Sequence, residues 1–185
     1  MITKTIRRAT PDDNALIYEL ALPAWKDAYS EILSRGQMDY MLEMMYSESS
    51  LTRQMQEGHA FFIVVCDGAP SGFISFHPQG DDLYILEKLY VHPQWQGTGA
   101  GRFLVEQAEE HIRNRHPGKR ILFELNVNRN NQAVNFYTRL GFSIDREVDE
   151  DIGNGFFKND FVMRKMIQTA VQDYRPSFVS NSQQK

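Results

Sequence analysis

Three glycines at alternate positions, Gly97, Gly99 and Gly101, stand between a strand-like apolar run and an amphipathic helical pattern. Because glycine has no Cβ, its backbone N–H group can approach a ligand closely. A helix that begins directly after such a loop adds free N–H donors and the positive end of its dipole. The segment QGTGAGR, residues 96–102, therefore predicts a strand–loop–helix unit with a site for phosphate oxygens.

The spacing of the glycines excludes two common phosphate-binding motifs. A P-loop requires Lys and then Ser or Thr after its last glycine, whereas Arg102 and Phe103 follow here. A dinucleotide fingerprint requires G-x-G-x-x-G directly after a strand, whereas the order here is G-x-G-x-G and residues 92–96 intervene. A glycine-rich connection without a ligand is the structural alternative, although a simple turn requires only one or two glycines.

Length, charge and cysteine content limit the class of protein. A chain of 185 residues with 42% hydrophobic and 24% charged residues is typical of one globular domain. The net charge of −4 argues against a general nucleic-acid binder and is compatible with a cationic substrate. The single cysteine, Cys66, excludes an internal disulfide. No apolar signal core and no run near 18 apolar residues occur, which predicts a cytoplasmic protein without a membrane partner.

Hydrophobic periodicity and turn residues predict the order β-α-α-α-β-β-β-α-β-α-β-β, an α/β fold with a mixed sheet. Thr10 is the expected cap of the first helix, Asp67-Gly68 predicts a hairpin, and Gly141 is the expected C-terminal stop of the last helix. The predicted strands are 2–8, 61–66, 72–77, 83–91, 120–127, 142–150 and 156–165, and the predicted helices are 10–29, 37–46, 50–56, 99–115 and 131–140. We expect one domain over residues 1–167 and a disordered tail over 168–185.

Three local patterns in this order resemble the GNAT superfamily of acyl-CoA-dependent N-acetyltransferases. The patterns are Leu89-Tyr90-Val91-His92-Pro93 leading into Gln96-Gly97-Thr98-Gly99-Ala100-Gly101, the segment Asn128-Arg129-Asn130-Asn131-Gln132-Ala133-Val134-Asn135-Phe136-Tyr137, and Leu140-Gly141-Phe142. The resemblance implies a single-domain fold whose central, mostly antiparallel sheet of about seven strands splays apart between strands 4 and 5. It also implies acetyl-CoA as cosubstrate, no metal, and direct transfer of the acetyl group to a bound amine.

The resemblance assigns cofactor contacts to two segments of the chain. The residues that it implies are Leu89, Tyr90, Val91, Gln96, Gly97, Thr98, Gly99, Ala100, Gly101, Arg102 and Asn131. The loop and the helix start suit a pyrophosphate, and the backbone of residues 89–91 can pair with the amides of the pantetheine arm as an added strand would. Asn131 can cap the next helix and, by the resemblance, contact the same arm; Asn130 is the alternative residue for that role.

Two residues are candidates for proton transfer. The resemblance makes Tyr137 the general acid that protonates the departing CoA thiolate, and the alternative is a tyrosine that only packs beside Phe136. Glu87 is the candidate base for the amine, because a period of two residues places it on one strand face with Leu89 and Val91. A solvated glutamate is the alternative role for Glu87, and His77 and His92 are lesser candidates for the base.

The acceptor is not determined by the sequence beyond a small-molecule or peptide amine. Aromatic residues of the first two helices could line an acceptor groove, although their helical spacing favours a core: Trp25, Tyr29, Tyr40 and Tyr46. A non-catalytic acyl-CoA-binding regulatory domain is the alternative function, and a nucleotide-binding module is a third. The oligomeric state, including a homodimer, stays open.

Overall fold

The computed structural model describes residues 2–168, which form seven strands and five helices. The strands are β1 (Lys4–Arg8), β2 (Ala60–Cys66), β3 (Ala69–Pro78), β4 (Leu83–Val91), β5 (Arg120–Asn128), β6 (Ser143–Gly153) and β7 (Phe156–Gln168). The helices are α1 (Asn14–Tyr29), α2 (Arg35–Tyr46), α3 (Glu48–Gln56), α4 (Ala100–Arg115) and α5 (Ala133–Arg139). The tail predicted from residue 168 lies, apart from Gln168 at the end of β7, outside the described residues.

The seven strands form one sheet in the order β1-β2-β3-β4-β5-β7-β6. Strands β4 and β5 run parallel, and every other neighbouring pair is antiparallel. The parallel pair arises because α4 carries the chain back to the starting end of the sheet before β5 begins. The predicted α/β fold with a mixed, mostly antiparallel sheet is therefore confirmed.

Strands β4 and β5 are paired over only the first part of their length. Leu83–Leu86 of β4 pair with Leu122–Leu125 of β5, and the pairing stops there. Beyond that point β4 continues beside β3 as far as Val91, and β5 continues beside β7 as far as Asn128. The carboxyl-terminal halves of the two strands thus separate in the middle of the sheet, which confirms the predicted splay.

A β-bulge in β4 lies where the two strands separate. The register with β3 changes from Leu86–Phe76 to Lys88–Ser75, so Glu87 is the inserted residue. Leu86 packs in the core beneath α4, whereas the side chain of Lys88 reaches Gln54 beneath α3. Side chains of a strand alternate between its two faces, and the inserted residue shifts this alternation by one position. The expectation that Glu87 shares a face with Leu89 and Val91 is therefore wrong.

Two apolar clusters cover the two faces of the sheet. One lies beneath α4 and α5 and includes Leu104, Phe123 and Tyr137, and the other lies beneath α1, α2 and α3 and includes Trp25 and Tyr46. Each face of the sheet therefore carries its own helical layer, and the separated ends of β4 and β5 lie between the two layers.

No helix of residues 2–168 is both long enough and apolar enough to span a bilayer.

Three local structures differ from the predicted boundaries or refine them. A 3₁₀ turn over Pro11–Asp13 precedes α1, and the Asp13 carboxylate accepts the N–H of Thr10 at 3.0 Å, so the α-helix begins at Asn14. Helices α2 and α3 each begin two residues earlier than predicted, at Arg35 and Glu48. The Asp67-Gly68 turn is confirmed, with φ of 48° and 85° as a tight hairpin requires.

Replacement of Gly72 by alanine tests the close approach of β3 to the end of β4. A Cβ at Gly72 would lie 2.5 Å from the Tyr90 carbonyl oxygen and 3.0 Å from the Val91 Cα, both of which are backbone atoms. We expect Gly72→Ala to lower the free energy of unfolding by about 1–3 kcal/mol in urea denaturation, because the strands must move apart. Gly36→Ala is the control, since its Cβ would meet only Phe156 Cζ at 3.9 Å. Equal stability of the two variants would contradict this packing constraint.

Candidate active site

The backbone at the end of β4 has one paired edge and one edge that faces the gap. On one side, Leu89, Tyr90 and Val91 pair with β3. On the other side, these residues of β4 are no longer paired with β5. The side chains of Leu89 and Val91 pack beneath α4, and the ring of Tyr90 lies 6.0 Å from that of Trp25 on the opposite face. Side-chain packing and a backbone edge open to a ligand therefore coexist at these residues.

The glycine loop leads from this strand into α4. Gly97 and Gly99 have φ of +74° and +83°, a conformation that residues with a side chain rarely adopt. A Cβ at Gly97 would meet no atom within 4 Å among the described residues, so the space above the loop is open. Helix α4 begins at Ala100, directly after Gly99, and the first N–H groups of a helix have no partner within that helix. The loop thus has the backbone conformation that the predicted phosphate site requires, and binding of phosphate there stays a prediction.

Position 101 requires a glycine for a different reason from positions 97 and 99. A Cβ at this position would lie 3.3 Å from Phe136 Cζ and 3.7 Å from Val91 Cγ2. The start of α4 therefore packs directly against α5 and the end of β4. This contact holds the loop beside the gap between β4 and β5.

Side chains anchor the loop from three directions. Gln96 Nε2 donates to the Val91 carbonyl at 3.3 Å and to Asp27 Oδ2 at 3.2 Å, and the Thr98 hydroxyl donates to the Trp95 carbonyl at 2.6 Å. The Lys4 ammonium lies 3.9 Å from the position that a Gly99 Cβ would take. Sequence reasoning missed Lys4, because no local pattern connects the first strand with the loop.

Other residues that the resemblance implied lie around the loop but differ in exposure. Arg102 projects from α4, with its guanidinium 3.8 Å from Glu106, and both side chains are more than half exposed. Asn131 Oδ1 accepts the N–H of Ala133 at 2.8 Å and so caps the start of α5, which begins two residues after the start of the predicted helix 131–140. Asn130 is exposed and donates its N–H to Asn128 Oδ1 at 3.0 Å.

Three tyrosines surround the inner end of the gap. Burial raises the pKa of the Tyr29 hydroxyl, and hydrogen bonds with Tyr90 and Asn131 oppose part of that rise. Tyr137 is 7% exposed and lies edge-on to the rings of Phe136 and Phe142. Burial raises the pKa of Tyr137, and the nearby Tyr29 adds to the rise. Tyr137 is therefore a neutral phenol at physiological pH, the form that can donate a proton.

A cavity of about 580 Å³ opens on the α1 and α2 side of the gap. Trp25, Tyr29 and Tyr90 form an aromatic part of its wall. Its ionisable lining comprises Glu87, Glu124, Glu150, Asp160, Arg146 and Lys158, with His77 beside them. Four carboxyl groups against two basic side chains give this cavity an excess of negative charge. Two of the four aromatic residues that the sequence favoured as core, Trp25 and Tyr29, therefore also line a cavity, whereas Tyr46 is buried.

Glu87 is ionised in this cavity. Its side chain is 34% exposed, and one carboxylate oxygen lies 3.7 Å from His77 Nε2. The contact with His77 lowers the pKa of Glu87 to about 2 against the opposing effect of burial, and the charges of Lys88 and Lys158 contribute. Glu87 can therefore attract and bind a protonated amine across the whole physiological pH range.

Lys88, the residue after Glu87, is enclosed in the interior beneath α3. Its ammonium group donates to Gln54 Oε1 at 2.6 Å and lies over the rings of Tyr46 and Phe61 at 5.5 and 5.9 Å. Burial lowers the pKa of Lys88 to about 8, and the charge of Glu87 opposes that change. At 2% exposure Lys88 is an internal amino group beside Glu87 rather than a surface lysine.

Asp160 is a second acid of the cavity, which sequence reasoning missed. It lies on β7 opposite Asn128 of β5, is 7% exposed, and takes part in no ion pair within 4 Å among residues 2–168. Burial raises the pKa of Asp160, with the charge of Lys158 opposing the rise. An aspartate directly before the apolar run FVM was a usable signal, because a buried strand rarely contains an unpaired acid. In the described part of the chain, no cluster of three or more His, Cys, Asp and Glu side chains could hold a metal ion.

Replacement of Gly99 by alanine tests the loop as a phosphate site. An added Cβ would narrow the open space above the loop and strain a backbone with positive φ. We expect Gly99→Ala to weaken CoA binding at least about tenfold, which corresponds to ~1.4 kcal/mol, in isothermal titration calorimetry. Gly58→Ala is the matched control, because Gly58 also has positive φ, +96°, and open space around it but lies after α3. Wild-type CoA affinity in folded Gly99→Ala would disprove a phosphate at this loop.

Comparisons with known proteins agree with this geometry. The chain is 35% identical over 111 residues to an aminoglycoside N(6′)-acetyltransferase type 1 of Stenotrophomonas maltophilia, and the match covers 55% of this chain and 62% of that protein. It is 30% identical over 155 residues to an uncharacterised N-acetyltransferase of Methanocaldococcus jannaschii, with coverage of 79% and 63%. The chain thus spans less than two thirds of the length of these two relatives.

Solved structures share the fold over nearly the whole described chain. The crystal structure of the PaiA N-acetyltransferase of Thermoplasma acidophilum in complex with coenzyme A has a TM-score of 0.74 and 25% identity, and covers 88% of this chain and 98% of that one. The spermidine N(1)-acetyltransferase of the same organism is 25% identical over 172 residues, which cover 89% of this chain and 98% of that protein. Residues 17–142 match the Acetyltransferase (GNAT) family, so the splayed sheet, the glycine loop and this match together establish that the chain belongs to the GNAT acetyltransferases.

Proposed function

We propose that the chain transfers an acetyl group from acetyl-CoA to a primary amine by direct attack in a ternary complex. One observation carries this proposal: the same stretch of β4 adjoins both the glycine loop and the acidic cavity. Val91 leads into the loop, and Glu87 and Tyr90 line the cavity. A donor bound along the loop and an acceptor bound in the cavity would therefore meet at the gap between β4 and β5.

The donor side of the gap suits CoA. The N–H groups at the start of α4 and the Lys4 ammonium would bind the pyrophosphate, since both are positive or partly positive groups. The free backbone edge of residues 89–91 would pair with the amides of the pantetheine arm. A backbone N–H of this edge would also stabilise negative charge on the oxygen of the thioester carbonyl during attack.

The acetyl transfer requires no covalent enzyme intermediate, because every bond and proton is accounted for by direct attack of the amine. Glu87 accepts one proton from the ammonium group, and the resulting amine attacks the thioester carbonyl carbon. The carbon–sulfur bond breaks, Tyr137 donates its phenolic proton to the sulfur, and the second proton lost by the nitrogen replaces it. The chain's one cysteine, Cys66, is fully buried, which argues against an acetyl-cysteine intermediate.

The cavity favours an acceptor with more than one positive charge. Two of the relatives are named for an aminoglycoside and for spermidine, and both of these compounds carry several amino groups. In this chain Glu87 and Asp160 line the cavity from different strands, β4 and β7, and neither forms an ion pair with Lys or Arg within 4 Å among the described residues. Glu87 would receive the reacting amine, and Asp160 would bind a second ammonium group of the same molecule.

The alternative function is a non-catalytic acyl-CoA-binding domain. The retention of a buried phenol at Tyr137 and of an ionised acid at Glu87 favours the enzyme, because CoA binding alone requires neither group. The proposal includes a cytoplasmic location, which suits a protein with one cysteine and no internal disulfide.

Tyr137→Phe tests the enzymatic function most directly. Phenylalanine keeps the ring contacts with Phe136 and Phe142 but removes the proton donor. We expect the single-turnover rate, measured by thiol release, to fall by about 10²–10⁴-fold while the Kd for acetyl-CoA changes little. Full activity of the variant would make the tyrosine structural. Tight CoA binding by the wild type without turnover of any amine would favour the regulatory domain.

Asp160→Asn tests the class of acceptor. Loss of one charge-assisted contact should raise the KM for spermidine about tenfold, equivalent to ~1.4 kcal/mol, and leave the KM for a monoamine such as butylamine unchanged. Asp39→Asn is the control, because it removes the same charge from an acid on α2 that is 71% exposed and lies outside the cavity. An equal effect of Asp160→Asn on both amines would exclude a second ammonium site at Asp160.

A further inference from the structure

One lysine side chain lines the acidic cavity that we assign to the acceptor. Lys158 lies on β7 and is 24% exposed, and its ammonium group is 3.8 Å from Glu150 Oε2. Within 4 Å, the ammonium group forms an ion pair with Glu150 alone among residues 2–168. That contact is long and the Glu150 side chain is 57% exposed, so the pair is weak. Lys158 therefore brings a positive charge to the cavity without a tight partner.

The backbone that carries Lys158 is fixed by contacts between α2 and the β6–β7 hairpin. Gln37 Nε2 donates to the carbonyl oxygen of Phe157, the residue before Lys158, at 2.9 Å. The Tyr40 hydroxyl donates to the Ile152 carbonyl oxygen of the same hairpin, also at 2.9 Å. These hydrogen bonds join the hairpin to a helix that itself contributes to the cavity wall. The charge of Lys158 is thus a built feature of the cavity.

The acids of the cavity differ in what neutralises them. Glu124 lies 2.6 Å from the Arg164 guanidinium and 3.5 Å from that of Arg146. Glu87 and Asp160 form no ion pair with Lys or Arg within 4 Å in the described part of the chain. These two acids are the ones that the proposed function gives to the acceptor.

Lys158 supplies positive charge at longer range to both of these acids. The contact with His77 and the charge of Lys88 lower the pKa of Glu87, and the charge of Lys158 adds to this effect. Burial raises the pKa of Asp160, and the charge of Lys158 is the largest effect that opposes the rise. A positive charge that stabilises both carboxylates also repels any further cation that approaches them.

We propose that Lys158 is a resident cation of the acceptor cavity, which the second ammonium group of a polyamine must displace. This inference rests on the proposed function, which places the reacting amine at Glu87 and a second ammonium group at Asp160. In the empty cavity Lys158 balances part of the acidic charge. When a polyamine enters, its own charges replace that of Lys158, whose side chain moves towards Glu150 and solvent. Lys158 therefore determines how strongly the cavity prefers an acceptor with two charges over an acceptor with one.

Lys158→Met removes this cation and keeps a flexible side chain. We expect the KM for spermidine to fall about three- to tenfold and the KM for butylamine to change less than about twofold, because only spermidine brings a charge to Asp160. Lys158→Arg keeps the charge and should retain the wild-type KM for spermidine. Lys26→Met is the control, since it removes an equal charge from an exposed lysine of α1 outside the cavity. A KM for spermidine that rises or stays unchanged in Lys158→Met, or an equal fall for both amines, would overturn the inference.

Binding measurements without turnover separate this inference from the proposed function. In the Tyr137→Phe background, calorimetry should show tighter spermidine binding when Lys158→Met is added. This gain should disappear when Asp160→Asn is added as well, because Lys158 acts on the second ammonium site. If no amine is acetylated by the wild type but these affinities change as expected, the proposed function fails and the resident cation stands. Affinities that do not change would overturn the resident cation, whether or not the wild type acetylates an amine.

Discussion

The early end of pairing between β4 and β5 is the constraint on which the rest of the structure depends. A central strand normally has backbone partners on both sides, and unpaired buried N–H and C=O groups are costly. Here β4 keeps its partner β3 but leaves β5 after Leu86, so residues 87–91 have one free edge inside the sheet. An amide-bearing ligand can complete that edge, and both the glycine loop and the cavity adjoin it. The missing pairing thus creates the free edge on which the candidate site depends.

The bulge at Glu87 adds an electrostatic arrangement to this geometry. It directs Glu87 towards the cavity and Lys88 into the core, two adjacent residues with opposite charges in different surroundings. Burial disfavours the charge of Lys88 and of His59, while the contact with His77 favours the charge of Glu87. Perturbed pKa values of this kind cluster at functional sites.

Much of the fold could be predicted because its signals are local. The span of β4, the Asp67-Gly68 turn and Gly141, with φ of +90° after α5, all agree with the structure. The glycine loop likewise has the strand before it and the helix after it that its sequence indicated. The helix starts were less well predicted, although their contacts are also local: Asp13 accepts the N–H of Thr10 before α1, and the Ser34 hydroxyl accepts the N–H of Gln37 at the start of α2. The roles of Tyr137 and Asn131 towards a ligand stay predictions.

The sequence by itself determined the order of the elements, the glycine loop between β4 and α4, and the family, since each depends on residues that are close together in the chain. Only the tertiary structure decided the face of Glu87, because a bulge is a property of two paired strands and not of one alternating strand. It alone brought His59 beside His77, and Asp160 into the same cavity as Glu87. These contacts join residues from separate strands, and strand order and register are set by the packing of the whole sheet rather than by any single segment.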